Sequence, residues 1–233
     1  MTIIFAPTKL FNENAQTTNQ ITMFDDITNQ IVLEIQQLSK IEIQSKHKLS
    51  DKLIDDVISY YKNFNTNDRY VAFDYYLGES FKFLAYNKLN KSALKYLNKN
   101  VYIIDALYGI IRPLDGIKPY RMDFTWKAMK SKWKVIINDY FKANNHKIIL
   151  SLASKEFSAL IDKKIFDIYE VSFMDCKENV CKKVSVFNKQ MRGALLKEIV
   201  EKGIESIEDL PTKIHGYHKD VEGRVINYIR YTN

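Results

Sequence analysis

The chain has few of the residues that interrupt or cross-link a fold. Its 233 residues include only four prolines, seven glycines and two cysteines. No apolar run approaches the roughly 20 residues that span a bilayer. The N-terminus has neither the basic stretch nor the long apolar core of a secretory signal. We therefore expect a cytoplasmic protein that does not associate with a membrane, and we find no repeat and no low-complexity linker.

Motifs of several common chemistries are also missing. There is no Walker A loop, no dinucleotide fingerprint and no nucleophile elbow. The four histidines and two cysteines do not show the spacing of zinc ligands, so we expect no metal and no cofactor. Cys176 and Cys181 flank a predicted turn and can face each other across it. In a reducing cytoplasm we expect two inert thiols, with redox sensing as the alternative.

Positive charge is what the chain has in excess. Its net charge is +7 and its pI is near 9.1, which favours a polyanionic partner. The chain is also rich in Lys, Asn, Ile and Tyr, so the clustering of charge is better evidence than the total. Lys118 to Lys134 contains six basic residues and one acid, and Lys182 to Lys197 contains five basic residues and no acid. These two clusters are the candidate anion-binding regions.

Apolar spacing predicts strands and helices that alternate irregularly along the chain. The clearest predicted elements are strands at 2–6, 101–104 and 148–153, β-rich segments at 164–173 and 180–187, a helix at 188–202 and a hairpin at about 213–231. We expect a mixed α/β (α+β) fold in which residues 1–233 form a single compact domain. A central mixed sheet would be surrounded by helices.

The segment 107–121 is the most informative part of the sequence, with two of the four prolines and two of the seven glycines. Apolar segments flank it, so we expect a rigid loop that presents donors for an anion. Its candidate phosphate ligands are Arg112, Lys118 and Arg121, and its candidates for stacking on a base or sugar are Tyr108 and Tyr120. Two helices joined by a tight hairpin would present backbone N–H groups to phosphate in the same way. A purely structural loop, with Arg112 paired to Asp115, is the alternative.

Further candidates lie outside this loop. Trp126 is a third stacking candidate. Lys189 and Arg192 are predicted in the first turn of a helix, where cations are unfavourable unless an anion compensates them. Lys9 follows the carboxyl end of a predicted strand, where open α/β sheets bind ligands. For each of these cations, a solvated surface side chain is the alternative. The weak candidates for acid–base catalysis are Asp115, Asp123 and Glu156, so catalysis stays undecided.

Several segments, in order along the chain, resemble the signatures of the YaaA family of bacterial peroxide-stress proteins. They are Ala6-Pro7-Thr8-Lys9, Tyr76-Leu77-Gly78-Glu79-Ser80-Phe81-Lys82, residues 107–121, Ser151-Leu152-Ala153-Ser154-Lys155-Glu156-Phe157, Lys189-Gln190-Met191-Arg192-Gly193 and His215-Gly216-Tyr217. The segment 107–121 matches its signature almost residue for residue. Ala6 stands where the family has serine, and Phe81 stands where it has tyrosine.

The resemblance implies a compact α/β domain with a basic cleft, a helix-hairpin-helix-like DNA-binding element and a role in limiting oxidative DNA damage. We therefore expect a monomeric protein that binds double-stranded or damaged DNA through its phosphates. The groove is predicted to collect Lys9, Lys82, Arg112, Lys118, Arg121, Lys189 and Arg192. Two alternatives stay open: an enzyme that acts on a nucleotide or nucleobase in the same cleft, and a non-catalytic protein whose basic surface binds another partner.

Overall fold

A mixed β-sheet organises the protein. The computed structural model describes residues 1–178 and 180–232. Within that part of the chain the strands are β1 (Thr2–Phe5), β2 (Tyr70–Val71), β3 (Val101–Asp105), β4 (Gly109–Ile111), β5 (Gly116–Ile117), β6 (Ile148–Ser151), β7 (Asp167–Lys177), β8 (Val180–Lys182), β9 (Lys213–Ile214), β10 (Tyr217–Glu222) and β11 (Val225–Tyr231). The large sheet has the order β4-β3-β1-β6-β7-β11-β10-β9, with β8 paired to β7, whereas β2 and β5 form a separate pair.

Helices surround this sheet, as the sequence predicts. They are α1 (Asp25–Gln36), α2 (Lys40–His47), α3 (Asp51–Lys62), α4 (Ala72–Tyr75), α5 (Glu79–Leu84), α6 (Lys91–Asn100), α7 (Lys127–Ala143), α8 (Lys155–Ser158) and α9 (Ser185–Lys202). α9 packs against α5, α6 and β7. The predicted mixed α/β class is therefore confirmed. None of the helices in the described residues is long and apolar enough to cross a membrane.

The centre of the sheet is parallel and fully buried. All residues of β1 and β3 are buried, as in strands covered by helices on both faces. β1 pairs in parallel with both β3 and β6, and β6 pairs in parallel with β7. In the sheet, β3 lies on one side of β1, and the parallel strands β6 and β7, which follow later in the chain, lie on the other side of β1. This reversal leaves a crevice beyond the carboxyl ends of β1 and β6.

The segment 107–121 does not lie between two helices. β3 precedes it, the segment itself contains the short strands β4 and β5, and the next helix, α7, begins only at Lys127. A helix-hairpin-helix arrangement is therefore not what this part of the chain adopts. The apolar residues before the segment have the β-branched, continuous pattern of a buried strand, which periodicity alone does not separate from a buried helix.

Two smaller predictions also need correction. α9 begins at Ser185, three residues before the predicted start, so Lys189 and Arg192 lie beyond its first turn. Cys176 and Cys181 are directly opposite in the antiparallel β7–β8 pair, and a disulfide joins them instead of leaving two free thiols. The C-terminal hairpin is present, with its turn at 223–224 between β10 and β11.

Candidate functional site

A cleft lies at the carboxyl ends of β1 and β6, and two neighbouring cavities form it. The first, here named the mixed cavity, has a volume of about 460 Å³. The loop after β1 (6–10), the beginning of α5, the segment after β6 and one face of α9 line it. This is the crevice that the strand order creates, so the fold itself positions the cleft.

The second cavity, here named the basic cavity, has a volume of about 440 Å³. It shares Ser154, Lys189 and Arg192 with the mixed cavity. Its other walls come from β7, the beginning of α9 and the segment that joins β8 to α9. The two cavities therefore form one continuous cleft with α9 along its side.

Motifs that are far apart in the sequence meet in this cleft. The segments 6–9, 78–81, 152–157 and 189–192 all contribute lining residues to the mixed cavity. They carry four of the family signatures named above. Nothing in secondary-structure propensity requires these segments to come together, so their convergence identifies the cleft as the candidate functional site.

α9 approaches α5 closely at this site. A β-carbon added at Gly193 would lie 1.9 Å from the carbonyl oxygen of Ser80. The backbone of α5 therefore occupies the space that any side chain at this position would need. A hydrogen bond of 2.7 Å from the Gln190 amide to Glu79 Oε2 fastens the same two helices. Because Glu79 and Ser80 line the mixed cavity, this contact sets the width of the cleft.

The mixed cavity contains charges of both signs. Its cations are Lys9, Lys189 and Arg192, and its carboxylates are Glu79, Asp123 and Glu156. Lys9 Nζ lies 2.5 Å from Asp123 Oδ2, so this lysine already has an anionic partner. This balance of positive and negative charges suits a polar substrate or acid–base chemistry better than the binding of a highly charged polymer alone.

The basic cavity has a clear excess of positive charge. Lys155, Lys183, Lys189 and Arg192 line it, with Glu170 as the carboxylate among its lining residues. Glu170 is itself 3.2 Å from Lys163. Burial lowers the pKa of Lys183, and the nearby charges of Lys155 and Arg192 lower it further. Such crowding of cations is unfavourable in the absence of an anion.

Arg192 is the most buried of these cations. One guanidinium nitrogen, Nη2, donates to the carbonyl oxygen of Val171 at 3.2 Å. Its Nε is buried and has no hydrogen-bond partner among the described atoms. Burial lowers the pKa of Arg192 to about 10, an effect that the charge of Glu170 opposes. The side chain remains protonated at neutral pH and keeps an unused donor.

Beside the mixed cavity, a small pocket contains the end of the segment 107–121. Tyr120, Arg121 and Asp123 line it together with Lys9. The Tyr120 hydroxyl lies 2.8 Å from the Tyr76 hydroxyl and donates to Asp105. A buried chain of polar groups therefore leads from the wall of the cleft into the core.

Asp105 is the inner end of this chain. It is fully buried and accepts hydrogen bonds from the backbone N–H groups of Leu107 and Tyr108 at 2.8 and 2.9 Å. Burial raises the pKa of Asp105 to about 6, although the hydrogen bond from Tyr120 and the two backbone bonds oppose the rise. Asp105 is not among the candidates that the sequence suggests, because a single carboxylate at the end of an apolar strand is not a recognisable motif.

The structure places Arg112 outside the cleft. It follows β4, which runs antiparallel to β3, so Arg112 lies toward the amino end of β3. Its guanidinium stacks on the Tyr102 ring, 4.7 Å from the centroid, and donates to the carbonyl oxygen of Asn98. Asp115 is also absent from the cleft lining, and its carboxylate accepts from the backbone N–H of Arg112 at 2.8 Å. A purely structural loop, in which Arg112 and Asp115 contact each other, therefore describes this pair better than phosphate binding does.

Lys118 and Tyr108 are likewise part of the interior. Lys118 Nζ donates to the carbonyl oxygen of Phe64 at 2.5 Å and lies over the Phe64 ring. Tyr108 is fully buried, and its hydroxyl accepts from the backbone N–H of Lys118 at 2.9 Å. Tyr120 is also buried, at 4% exposure, so neither tyrosine presents a face for stacking.

The remaining candidates lie at or beyond the rim. Lys82 is half-exposed and pairs with Glu79 at 3.3 Å, one turn away on α5. Trp126 is partly buried, with the Lys46 ammonium 4.6 Å above its ring. Neither lines the cavities of the cleft. From the predicted set, the structure brings together Lys9, Arg121, Asp123, Glu156, Lys189 and Arg192.

Several cleft residues are absent from the candidates that the sequence suggests. Lys155 and Lys183 line the basic cavity, and Glu170 and Asn188 lie beside them. The sequence contains a signal for both lysines. Lys155 lies in the segment 151–157 that resembles a family signature, and Lys183 belongs to the acid-free cluster from Lys182 to Lys197.

The sequence is similar to those of known proteins over most of its length. The family described as peroxide stress protein YaaA matches residues 1–222. A UPF0246 protein of Fusobacterium nucleatum is 31% identical over 230 residues, which cover 94% of this chain and 93% of that protein. A UPF0246 protein of Malacoplasma penetrans is 32% identical over 225 residues, with 90% and 91% covered. The match therefore extends across every segment that builds the cleft, and the chain belongs to the peroxide stress protein YaaA family.

Proposed function

We propose that this protein binds DNA through backbone phosphates in the cleft and thereby limits oxidative DNA damage. The observation that carries the proposal is the excess of cations in the basic cavity, where four basic side chains face one carboxylate. Lys and Arg side chains provide most phosphate contacts in protein–DNA complexes. Lys9 and Arg121 line the small pocket beside the mixed cavity and extend the positive surface in that direction.

The proposal predicts how binding depends on salt. Six basic residues line the cleft and the small pocket beside it, and Lys9 is already paired with Asp123, which leaves about five for phosphate. The slope of log affinity against log salt concentration on duplex DNA should then be about −4 to −5. Binding should depend weakly on base sequence, because phosphate contacts carry no sequence information directly.

Fluorescence anisotropy with a labelled duplex at several salt concentrations tests this. Lys155→Ala/Lys189→Ala removes two exposed cations of the basic cavity and should reduce the slope by about 2. Lys142→Ala/Lys147→Ala is the matched control, since both lysines are exposed. They lie beside the amino end of β6, whereas the cleft lies at the carboxyl end of that strand. A flat salt dependence in the wild type, or equal losses in both double variants, would contradict DNA binding in the cleft.

The protective role needs its own measurement. Supercoiled plasmid exposed to peroxide and ferrous iron is converted to the nicked form, which a gel quantifies. We expect the wild type to slow this conversion and the Lys155→Ala/Lys189→Ala variant to slow it less. Equal protection by the two proteins would separate protection from DNA binding.

One observation favours a second function, an enzyme that acts on a nucleotide or nucleobase. The mixed cavity has balanced charges, and the buried Asp105, Tyr120 and Tyr76 chain reaches its edge. Electrostatic binding alone does not require such a network. Asp123 is the carboxylate best placed for acid–base work, since it lines both the mixed cavity and the pocket beside it.

Product formation from a panel of nucleotides and short oligonucleotides, followed by chromatography and mass spectrometry, tests this second function. Asp123→Asn should abolish the product without loss of folding. Unchanged substrates across the panel would leave DNA binding as the function of the cleft.

A further inference from the structure

The basic cavity is small compared with a duplex-binding groove. It lies between β7, the segment after β6 and the beginning of α9, and it shares Ser154, Lys189 and Arg192 with the mixed cavity. Its volume of about 440 Å³ is of the size that holds one nucleotide but not a continuous duplex. The cavity therefore fits a single phosphate group better than a run of them.

The donors of the cavity are arranged around this space. Arg192 contributes the buried Nε that has no partner among the described atoms, and Lys183 contributes an exposed ammonium. The hydroxyl group of Ser154 also lines the cavity, whereas those of Ser158 and Ser172 donate to Glu170 and Asn227. Guanidinium, ammonium and hydroxyl donors together are the set that phosphate oxygens accept from.

The beginning of α9 adds a second favourable element. Ser185 and Asn188, in its first turn, line the cavity. The helix has 18 residues, no side-chain cap on its first turn and no acidic residue there. Its first backbone N–H groups therefore lack the negative partner that usually stabilises them, and an anion in the cavity would supply it.

The charge excess distinguishes between two kinds of phosphate. A phosphodiester carries one negative charge, whereas a phosphomonoester carries about 1.5 to 2 at neutral pH. Four cations against one carboxylate match the higher charge better. We propose that the basic cavity binds a terminal phosphomonoester, such as the phosphorylated end of a broken DNA strand. This inference rests on the proposed DNA binding and names the DNA feature that the cleft selects.

Gapped duplexes that differ only at the gap test the inference. One carries a 5′-phosphate, one a 3′-phosphate and one hydroxyl groups at both ends, and each is titrated into the wild type by fluorescence anisotropy at one salt concentration. We expect about tenfold tighter binding of one phosphorylated gap than of the hydroxyl gap, as charge-assisted hydrogen bonds to a monoester provide. Which phosphorylated gap shows the gain identifies the strand end that is bound.

Substitutions of cavity residues test whether the preference for a phosphorylated gap comes from the basic cavity. Arg192→Gln and, separately, the exposed Lys183→Ala should reduce the preference to near unity, while each weakens binding of intact duplex by the loss of one phosphate contact, a change of about 1 in the salt slope. Lys183→Ala keeps the test valid where Arg192→Gln does not fold. The Lys142→Ala/Lys147→Ala control should keep the full preference.

The outcomes separate this inference from the proposed function. Equal affinity for phosphorylated and hydroxyl gaps, with duplex binding intact, would overturn the terminal-phosphate site and leave DNA binding standing. The absence of any DNA binding would overturn the proposed function, and calorimetry with AMP and inorganic phosphate would then decide the inference. Binding of AMP or inorganic phosphate that Lys183→Ala weakens would support the phosphomonoester site. No binding of either ligand would overturn it.

Discussion

Gly193→Ala should destabilise the protein, although alanine is the better helix former. Inside a helix, alanine is favoured over glycine by about 1 kcal/mol. At this position the added β-carbon would lie 1.9 Å from the Ser80 carbonyl oxygen, which is backbone and cannot rotate away. Overpacking of this kind costs about 1–3 kcal/mol, and a clash with backbone belongs at the upper end. We expect a net loss of about 2 kcal/mol in the free energy of unfolding.

Thermal unfolding followed by circular dichroism measures this loss. For a chain of this size, each kcal/mol shifts the Tm by about 2–4 °C, so the expected decrease is about 4–8 °C. Gly203→Ala is the control, because a β-carbon there meets nothing within 4 Å and the change costs only the left-handed backbone (φ +65°), about 1 kcal/mol.

A Gly193→Ala variant as stable as the wild type would refute the close approach of α9 to α5. It would mean that helix propensity outweighs the contact. The same variant should also bind DNA more weakly, because a displaced α9 carries Lys189 and Arg192 away from the opposite wall of the cleft.

Further predictions follow from the groups described above. Arg112→Ala should lower the Tm, because it removes the stacking on Tyr102, while DNA affinity by anisotropy stays unchanged; a large loss of affinity would return Arg112 to the binding surface. Because burial raises the pKa of Asp105 to about 6, the folded protein retains a proton that the unfolded chain releases near pH 4. The free energy of unfolding from urea titrations should therefore fall as the pH rises from about 4 to about 6, and Asp105→Asn should flatten that fall. Cys181→Ala should cost about 2 kcal/mol of stability under oxidising conditions, from the short loop that the disulfide to Cys176 closes, and nothing in the presence of a reductant.

The fold was largely predictable because its signals are local. Continuous apolar runs identify β1, β3 and β6, and helical spacing identifies most of α9. Boundaries that depend on tertiary contacts were less accurate. α9 starts early, at Ser185, inside the predicted β-rich segment 180–187, because β8 ends at Lys182 and only Lys183 and Val184 separate the two elements.

The site was predictable only in part, because sequence does not distinguish an exposed cation from a buried one. Arg112 and Lys118 are residue types that bind anions, but in the structure they contact aromatic rings and donate to backbone carbonyl oxygens away from the cleft. Lys189 and Arg192 were selected for their place near a helix N-terminus, and the structure places both in the cleft. Whether a basic residue lies in the cleft or in the interior therefore depends on contacts with segments that are distant in the sequence.

The cleft draws its walls from segments near both ends of the chain, and this has a practical consequence for ligand discovery. Lys9 and Arg192 come together only when the parallel strands between them are in place. A molecule that occupies the cleft must therefore stabilise the entire sheet rather than one loop. At a concentration 100 times its Kd, such a molecule contributes about 2.7 kcal/mol, or a rise in Tm of about 5–11 °C for a chain of this size. A thermal-shift screen of nucleotides and end-modified oligonucleotides would then detect a ligand of the cleft without any assumption about which of its groups makes the contacts.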